Sequence, residues 1–467
     1  MGAVLARTRA QPLRLCVPGH GGGAYAPGGL ARALRRHGVW QLDWTEVAGL
    51  DDLAWPQGPI RDAESALAEA FGAAGAAILV GGSTAGILAA LLAFAAGRTV
   101  AMAPGQHRSV YAALALASAE PLFLPEWVDR ATGLALGPSP RAAAARIAGA
   151  RPAVVVVAHP TYQGVAAPLA PLVAAAHATG ALVVADSAHG AHFGLDPRLP
   201  TPALAAGADI AVLGLHKSLG ALTQTAVVAW RQGVDGDRLR AALRLVQSSS
   251  PSYLLMASAD AARASLVRSG RMRWRHAIDR AEGVRRAIGD DLWQPPARQD
   301  PTRVVWRSPA GDGASLLGAL REAGIEAEYA DERTALLLCG PNVAARHMER
   351  LLQALARARE TVLRAGRSGP RPALARAAPL SAPAQGAMLA ALSAPWEEVP
   401  LAAAEGRVAA DFLVPYPPGV PMALPGARLD GATVARLQTA VSTGREVQGV
   451  RRGSTIRVVR TEGGPSP

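Results

Sequence analysis

The chain has 467 residues, of which 50% are hydrophobic and 18% are charged, and its formal net charge is +12. A chain this long and apolar can bury large cores, which excludes a disordered or collagen-like polymer and predicts a multi-domain globular protein. Two cysteines, Cys16 and Cys339, are too few for a disulfide framework, and the N-terminus shows no secretory leader pattern. We therefore expect a reduced, cytoplasmic protein.

Two features of the composition suggest a nucleic-acid or a membrane partner, and both have a better explanation. The arginines are scattered at helical spacing, with no recognisable nucleic-acid module or dense basic tail, which is typical of solvated helix faces. Residues 70–97 carry no charge and are long enough to cross a bilayer. Because this run is mostly Ala and Gly and a Gly-Gly-Ser-Thr turn breaks it, it predicts a helix end, a short buried strand, a turn and a buried helix.

In chain order, residues 1–59 are predicted to form an N-terminal arm, and residues 60–290 a large domain. Within the large domain, short apolar runs alternate with helical stretches, and a helix is predicted over residues 263–288. Such βα alternation predicts an α/β fold with a mostly parallel sheet covered by helices on both faces. The predicted strands cover residues 77–80, 99–102, 121–124, 153–158, 182–185, 210–213 and 226–230.

The second part of the chain predicts smaller units. Residues 291–365 alternate strand-like and helix-like segments, which predicts a small α/β domain: strands over 302–306 and 334–338, and helices around 315–323 and from 343. Residues 366–383 are rich in Pro, Gly and Arg and are predicted to be a linker. Residues 384–467 are predicted to form a C-terminal domain that contains a helix and an irregular proline-rich segment, residues 415–421 (PYPPGVP).

Lys217 is the most informative residue of the sequence. Lysine and arginine total 48, yet Lys217 is the only lysine. A desolvated ε-amine can lose its proton and attack a carbonyl, whereas arginine stays protonated, so a retained lysine favours a Schiff-base role. The alternative is a surface lysine that has no function and was retained by chance. The apolar run 208–215 argues against it, because a buried strand would deliver Lys217 to the sheet edge where ligands of open α/β folds bind.

Three further motifs lie where the predicted strands end. Asp186 follows an apolar strand, and its carboxylate could keep a pyridine nitrogen protonated; a helix cap or turn aspartate is the structural alternative. Residues 81–86 (GGSTAG) lie between a strand and a helix, and such a turn suits a phosphate but is common. His107 could stack on a flat ring, although an isolated histidine is more often a hydrogen-bonded core residue. Together these features predict a cofactor site, and no metal site is predicted.

These residues resemble the pyridoxal-phosphate-dependent ornithine/lysine/arginine decarboxylases in their short form, which lacks an N-terminal wing domain. The resemblance runs from about residue 17 to residue 428 and implies the aspartate-aminotransferase fold. It rests on ordered motifs: residues 18–20 (PGH), 42–46 (LDWTE), 82–86 (GSTAG), 159–165 (HPTYQGV), 186–193 (DSAHGAHF), 216–217 (HK) with 221–224 (ALTQ), 249–258 (SSPSYLLMAS), and 406–426 with its PYPPGVP segment.

The resemblance implies a role for each matching residue. Lys217 would hold pyridoxal phosphate covalently and Asp186 would pair with its pyridine nitrogen. His107 would stack on the ring, and Ser83, Thr84 and His216 would hold the phosphate. His189 would lie beside the cofactor. Ser249 and Ser250 would reach the site across a dimer interface.

The sequence departs from the family pattern at several positions. Gly21 stands where a lysine is usual, Ser187 replaces a glutamate, and Gly214 replaces a serine whose hydroxyl would contact the phosphate. Asp411 and Ala427 replace glutamates near the proline-rich segment and after it. These departures leave open both the identity of the substrate and whether activity is altered.

The resemblance therefore predicts a cytoplasmic homodimer or higher homo-oligomer that decarboxylates arginine, lysine or ornithine, giving CO2 and a polyamine-type amine. Lys217 or His216 is the expected proton donor to Cα. Two alternatives stay open. The first is aminotransfer or elimination, which would use the same Lys217 and Asp186, because the reaction depends on which substrate bond is aligned with the cofactor. The second is a non-catalytic homologue, with which the departures are compatible.

Overall fold

The computed structural model describes residues 13–20, 23–366, 380–442, 444–452 and 454–460. Within these ranges a seven-stranded sheet forms the centre of the large domain, in the order β1-β7-β6-β5-β4-β2-β3. Strand β7 runs antiparallel to both of its neighbours, and the other pairs are parallel. The strands are β1 (Gly75–Leu79), β2 (Thr99–Met102), β3 (Glu120–Phe123), β4 (Val154–Ala158), β5 (Leu182–Ser187), β6 (Ile210–Leu213) and β7 (Ala226–Trp230).

The helices cover both faces of this sheet. Two separate hydrophobic cores, one on each face, bury alternate side chains of the same strands, such as Val183 and Val184. The helices of the arm and the large domain are α1 (Gly28–His37), α2 (Pro59–Ala70), α3 (Gly82–Ala95), α4 (Arg108–Leu116), α5 (Pro140–Ala150), α6 (Ala170–Ala178), α7 (Leu215–Ser218), α8 (Gly236–Val246) and α9 (Tyr253–Ile288). The predicted α/β fold and all seven predicted strands are confirmed.

The uncharged segment 70–97 is folded inside the large domain. It contains the last residue of α2, strand β1 and helix α3, as the sequence predicted. Ile87 and Leu91 of α3 are fully buried in the core. Across the described ranges, no helix is both long enough and apolar enough to cross a membrane.

Helix α9 begins ten residues before the predicted helix, at Tyr253 directly after Pro251 and Ser252. Its first turns bury Tyr253, Met256 and Ala259 against the large domain. This spacing of three residues is helical, but the preceding Ser-Ser-Pro-Ser run obscured the start of the helix. At its other end α9 contributes Ala281 and Ile288 to the core of the small domain.

The small domain places a three-stranded antiparallel sheet beside two helices. Its strands are β8 (Arg303–Arg307), β9 (Tyr329–Ala330) and β10 (Thr334–Leu338), and its helices are α10 (Gly313–Glu322) and α11 (Met348–Ala365). The predicted strands are confirmed to within a residue, whereas helix α11 starts five residues later than predicted, after a short turn at Ala345–His347. Residues Leu13–Leu15 of the arm pair with Ile325–Ala327 of this domain.

The C-terminal unit forms its own core around helix α13 (Gly431–Ser442) and a three-stranded sheet of β11 (Trp396–Pro400), β12 (Val450–Arg451) and β13 (Thr455–Val459). Helix α12 (Ala387–Ser393) joins it to the large domain, since Met388 packs in the same core as α3 and α4. Most of the predicted linker, and Gly21, lie outside the described residues. The domain boundaries remain predictions.

Three short antiparallel pairs complete the described strands. They are Glu126–Val128 with Ala135–Pro138, Val165–Ala166 with Arg298–Gln299, and Val414–Pro415 with Val447–Gln448.

Strand register brings the predicted site residues to one edge of the sheet. Asp186 on β5 lies opposite Val212 on β6 and Ala158 on β4. Lys217 follows β6 by four residues. Parallel strands present their carboxyl ends at the same edge, so side chains from the loops after β4, β5 and β6 converge there.

Candidate active site

Lys217 lies on the one-turn helix α7, directly after strand β6 and Gly214. Its Nζ is 3.0 Å from Nε2 of His189. Burial lowers the pKa of Lys217, and Arg303 lowers it further, while the carboxylates of Asp186 and Glu328 oppose the shift. The site therefore contains an amine that loses its proton more readily than an exposed lysine, as a nucleophile requires.

His189 is the hydrogen-bond partner of that amine. Burial and the positive charge of Lys217 hold its pKa well below the usual value, so the imidazole is neutral at neutral pH. A neutral imidazole can accept a proton at Nε2 from Nζ of Lys217. The ring of Tyr162 packs edge-on against His189, with centroids 4.9 Å apart, and this contact fixes the plane of the imidazole.

Asp186 is the penultimate residue of strand β5 and supplies a carboxylate close enough to act electrostatically on both Lys217 and His107. Its Oδ1 accepts a hydrogen bond from the amide of Ala188 at 3.1 Å. The carboxylate is partly exposed at the sheet edge, which suits a partner for a cationic ring nitrogen.

His107 directly precedes helix α4 and caps it, since its Nδ1 accepts a hydrogen bond from the amide of Ser109 at 3.2 Å. Burial lowers the pKa of His107 to about 4, against the opposing effect of Asp186, so the ring is a neutral, flat surface. The proline-rich segment of the C-terminal unit rests on it. Arg108 donates its backbone N–H to the carbonyl of Gly419 at 2.8 Å, and a Cβ at Gly419 would lie 2.8 Å from Cδ2 of His107.

The glycine-rich turn after β1 forms the N-terminus of helix α3. Gly82 has φ +71°, which favours glycine, and its N–H donates to the carbonyl of Gln224 at 2.8 Å. The hydroxyl of Ser83 is buried and has no hydrogen-bond partner among the described residues. Thr84 is exposed. A buried donor without a partner at the start of a long helix fits a phosphate.

The role of His216 in holding a phosphate stays a prediction, and the hydrogen bond of its ring sets a condition for it. Its Nδ1 donates to the carbonyl of Thr225 at 2.9 Å, and burial lowers its pKa to about 4. Nε2 of the neutral ring is consequently an acceptor, so it binds a phosphate oxygen only if the phosphate brings or induces a proton.

Ser249 and Ser250 are exposed. Among the described residues, no hydrogen bond or ion pair joins either serine to the residues around Lys217. Ser249 lines a cavity of about 100 Å³ together with Arg244. Asp411, one of the departures, caps its own neighbour by accepting the amide of Phe412 at 2.7 Å.

Sequence reasoning missed three residues of this site. Tyr162 donates its hydroxyl to Glu328, which also accepts a hydrogen bond from the amide of Val17 of the arm at 2.8 Å. Arg303 lines a small cavity together with Lys217. The signal for Tyr162 was present in the HPTYQGV motif. Arg303 and Glu328 come from the small domain. The one sequence signal for them was a charged residue at the start of a strand-like apolar run or within one.

The arrangement fits a covalently held, phosphorylated pyridine cofactor. It combines an amine of lowered pKa, a carboxylate for a ring nitrogen, a flat imidazole, and a buried hydroxyl at a helix N-terminus. These four groups converge from separate loops at one edge of the sheet, which is the usual position of a ligand site in such folds.

Comparison with known proteins gives matches over nearly the whole chain. The Orn/Lys/Arg decarboxylase major domain matches residues 2–302, and the C-terminal domain of Orn/Lys/Arg decarboxylase matches residues 374–452. An arginine decarboxylase of Bacillus subtilis (strain 168) is 30% identical over 469 residues, covering 96% of this chain and 94% of that protein.

Two solved structures share the fold at low identity. The constitutive lysine decarboxylase of E. coli has a TM-score of 0.72 and 22% identity, over 95% of this chain and 79% of that chain. A variant of SPT with PLP has a TM-score of 0.59 and 19% identity, over 75% of this chain and 88% of that chain.

Proposed function

Because this chain belongs to the Orn/Lys/Arg decarboxylase family, we propose that it uses pyridoxal phosphate to remove the α-carboxylate of arginine, lysine or ornithine. Membership itself makes the chain a decarboxylase of a basic amino acid. The products we propose are CO2 and the corresponding polyamine-type amine. Since a relative that matches 96% of the chain is named arginine decarboxylase, arginine is the first substrate to test.

The observation that carries this proposal is the contact of the only lysine, Lys217, with a neutral histidine at the edge of the sheet, 3.0 Å from Nζ to Nε2. A surface lysine retained by chance would have water around it. Lys217 instead has a lowered pKa and lies near Asp186, which is the environment that covalent catalysis by an amine needs.

In this proposal Lys217 would hold the cofactor through its ε-amine, Asp186 would pair with the pyridine nitrogen, Ser83 would donate to the phosphate, and His107 would cover the ring. When bound, pyridoxal phosphate supplies an electron sink for the bond that breaks at Cα. The protein residues decide which bond that is, because they fix the orientation of the substrate.

Proton transfer favours Lys217 over His216 as the donor to Cα. Nδ1–H of His216 donates to the carbonyl of Thr225, and the pKa of the ring is about 4. At neutral pH its Nε2 therefore carries no proton to donate. Lys217 Nζ can exchange a proton with Nε2 of His189, its hydrogen-bond partner.

We further propose a homodimer in which Ser249 and Ser250 of one copy reach the site of the other. Both serines are exposed, and no hydrogen bond or ion pair within the described ranges joins them to the Lys217 cluster. Large hydrophobic side chains are exposed near them: Leu245 is 78% exposed and Trp55 is 61% exposed, with Arg244 stacked 4.2 Å over the Trp55 ring. Such a surface favours burial against a second copy.

The proposal is tested by incubating the pyridoxal-phosphate-loaded protein with arginine, lysine and ornithine and measuring CO2 and amine by mass spectrometry. Lys217→Arg serves as the control for background chemistry. We expect equal amounts of CO2 and one amine from at least one substrate. Formation of a keto acid without CO2, or no product from any of the three, would contradict the proposed reaction.

A further inference from the structure

We propose that Arg303 binds the α-carboxylate of the amino-acid substrate and so distinguishes substrate from product. This inference rests on the proposed function and deepens it, because it names the residue that recognises the group to be lost. It is carried by the position of the guanidinium, by its incomplete pairing within the protein, and by the charge of the possible ligands.

Arg303 begins strand β8, and its side chain is only 4% exposed. It lines the same cavity as Lys217, a space of about 20 Å³ that Ser218 and Asn342 also border. That volume is the room that one or two water oxygens need, and a carboxylate presents two oxygens. Arg303 and Lys217 thus border one small space beside the site.

The partners of Arg303 within the protein do not satisfy it. Its nearest carboxylate is Asp300, at 3.6 Å from Nε to Oδ2, which is too long for a hydrogen bond. The oxygens of Asp300 already accept from Nε2 of His192 at 2.9 Å and from the amide and hydroxyl of Thr302 at 2.9 and 2.7 Å. Nη1 of Arg303 is buried without a partner among the described residues.

A buried guanidinium with a free N–H is costly unless a ligand completes its hydrogen bonds, and a carboxylate matches its geometry with two parallel bonds. Backbone packing fixes the direction of the side chain. Gly164 has φ +85°, and a Cβ there would lie 2.5 Å from Cγ of Arg303, so the arginine stem lies directly on the glycine backbone. This contact restricts the positions open to the stem of the arginine.

The charge of the substrate decides which of its groups binds there. The distal ammonium or guanidinium of a basic amino acid is positive and would be repelled by Arg303. The α-amine is the group that must reach the position of Lys217. The α-carboxylate is the remaining polar group and the only anionic one, and after decarboxylation it is gone, so the product amine loses this contact and binds more weakly than the substrate.

The test compares the affinity for the amino acid with the affinity for its product amine. In Arg303→Met, we expect the dissociation constant of the amino acid to rise about tenfold or more, as for loss of a charge-assisted hydrogen bond, while that of the amine stays within about twofold. Affinities come from KM and from inhibition by the amine, or, if turnover is lost, from titration of the visible absorbance of the bound cofactor.

Two further variants control for structural effects. Arg303→Lys keeps the charge but not the paired donors, so we expect it to recover part of the affinity for the amino acid. Arg307→Met removes an exposed arginine from the other end of β8 and should change neither affinity.

Equal weakening of amino acid and amine in both Arg303 variants, or no weakening, would overturn the inference and leave Arg303 as a structural partner of Asp300. Failure of the proposed function would be seen separately, as absence of amine product in the unmodified enzyme.

Discussion

Replacing Gly419 with alanine is expected to disturb the site from the C-terminal unit by pushing on His107. At φ +87° an alanine is strained by roughly 1–2 kcal/mol. Its Cβ would also lie 2.8 Å from Cδ2 and 2.9 Å from Nε2 of the His107 ring. Carbon atoms pack at about 3.5–4.0 Å, so the imidazole must move by more than half an ångström or the loop must retreat.

Gly406 offers a matched control in the same unit. It has φ +76°, and a Cβ there would meet no atom within 4 Å, so Gly406→Ala carries the backbone strain without the contact. We expect backbone strain to lower the free energy of unfolding by a similar amount in both variants. In Gly419→Ala the contact with His107 should lower it by about a further 1–3 kcal/mol, the range for overpacking.

The assay separates strain from the effect on the site. Thermal or urea unfolding reports the stability of each variant, and retention of pyridoxal phosphate through dialysis, followed by visible absorbance, reports the cofactor. Only Gly419→Ala should lose cofactor faster than the unmodified protein. Indistinguishable stability and cofactor retention in the two variants would refute the argument that the proline-rich segment positions His107.

Four other predictions concern the site and the assembly. Lys217→Arg keeps the charge but cannot bind the cofactor covalently, so turnover should collapse while circular dichroism shows an intact fold; near-normal activity would contradict the role of Lys217. Asp186→Asn removes the anion opposite the pyridine nitrogen, so single-turnover decarboxylation should slow markedly, and an unchanged rate would argue against the assignment. Co-expression of Lys217→Ala with a disruptive change at Ser249 and Ser250 should restore part of the activity, because a mixed dimer can build one intact site; proven mixed dimers without any activity would exclude a shared site. The pKa of His216 is about 4 in the folded protein and about 6.5 in an unfolded chain, so its contribution to stability is complete above about pH 6.5 and is lost as pH falls towards 4. The unfolding free energy of the cofactor-free protein should therefore fall over this range, by up to about 1.4 kcal/mol per pH unit for this residue, and His216→Asn should reduce that slope.

The strands of the large domain could be predicted from the sequence because both faces of the sheet are covered. A strand buried on both faces must be continuously apolar, and the runs around Val154–Ala158 and Ile210–Leu213 have no polar residue to blur their limits. The same reasoning predicted the places of Lys217 and Asp186, since Asp186 directly follows an apolar run and Lys217 lies four residues after one.

Contacts between distant parts of the chain could not be predicted in this way. Gly419 lies on His107, more than 300 residues away in sequence, and Arg303 approaches Lys217 from the small domain. No periodicity or motif encodes such pairs, because they depend on how separate domains pack. The start of helix α9 was missed for a local reason, the Ser and Pro residues directly before it.

The departures at Ser187 and Gly214 lie close together in the structure, and packing accounts for the glycine. Ser187 lies opposite Leu213, and the next residues, Ala188 and Gly214, are in close contact: a Cβ at Gly214 would lie 2.5 Å from the carbonyl oxygen of Ala188 and 3.3 Å from Oγ of Ser83. With this backbone a serine side chain has no room at position 214. Replacing Gly214 with serine would therefore not simply add a hydroxyl for the phosphate. Ser83 brings a buried hydroxyl to the same place. The two departures are thus neighbours in one packing arrangement, in which the glycine permits the close approach of the turn after β5 and Ser83 remains the hydroxyl available to a phosphate.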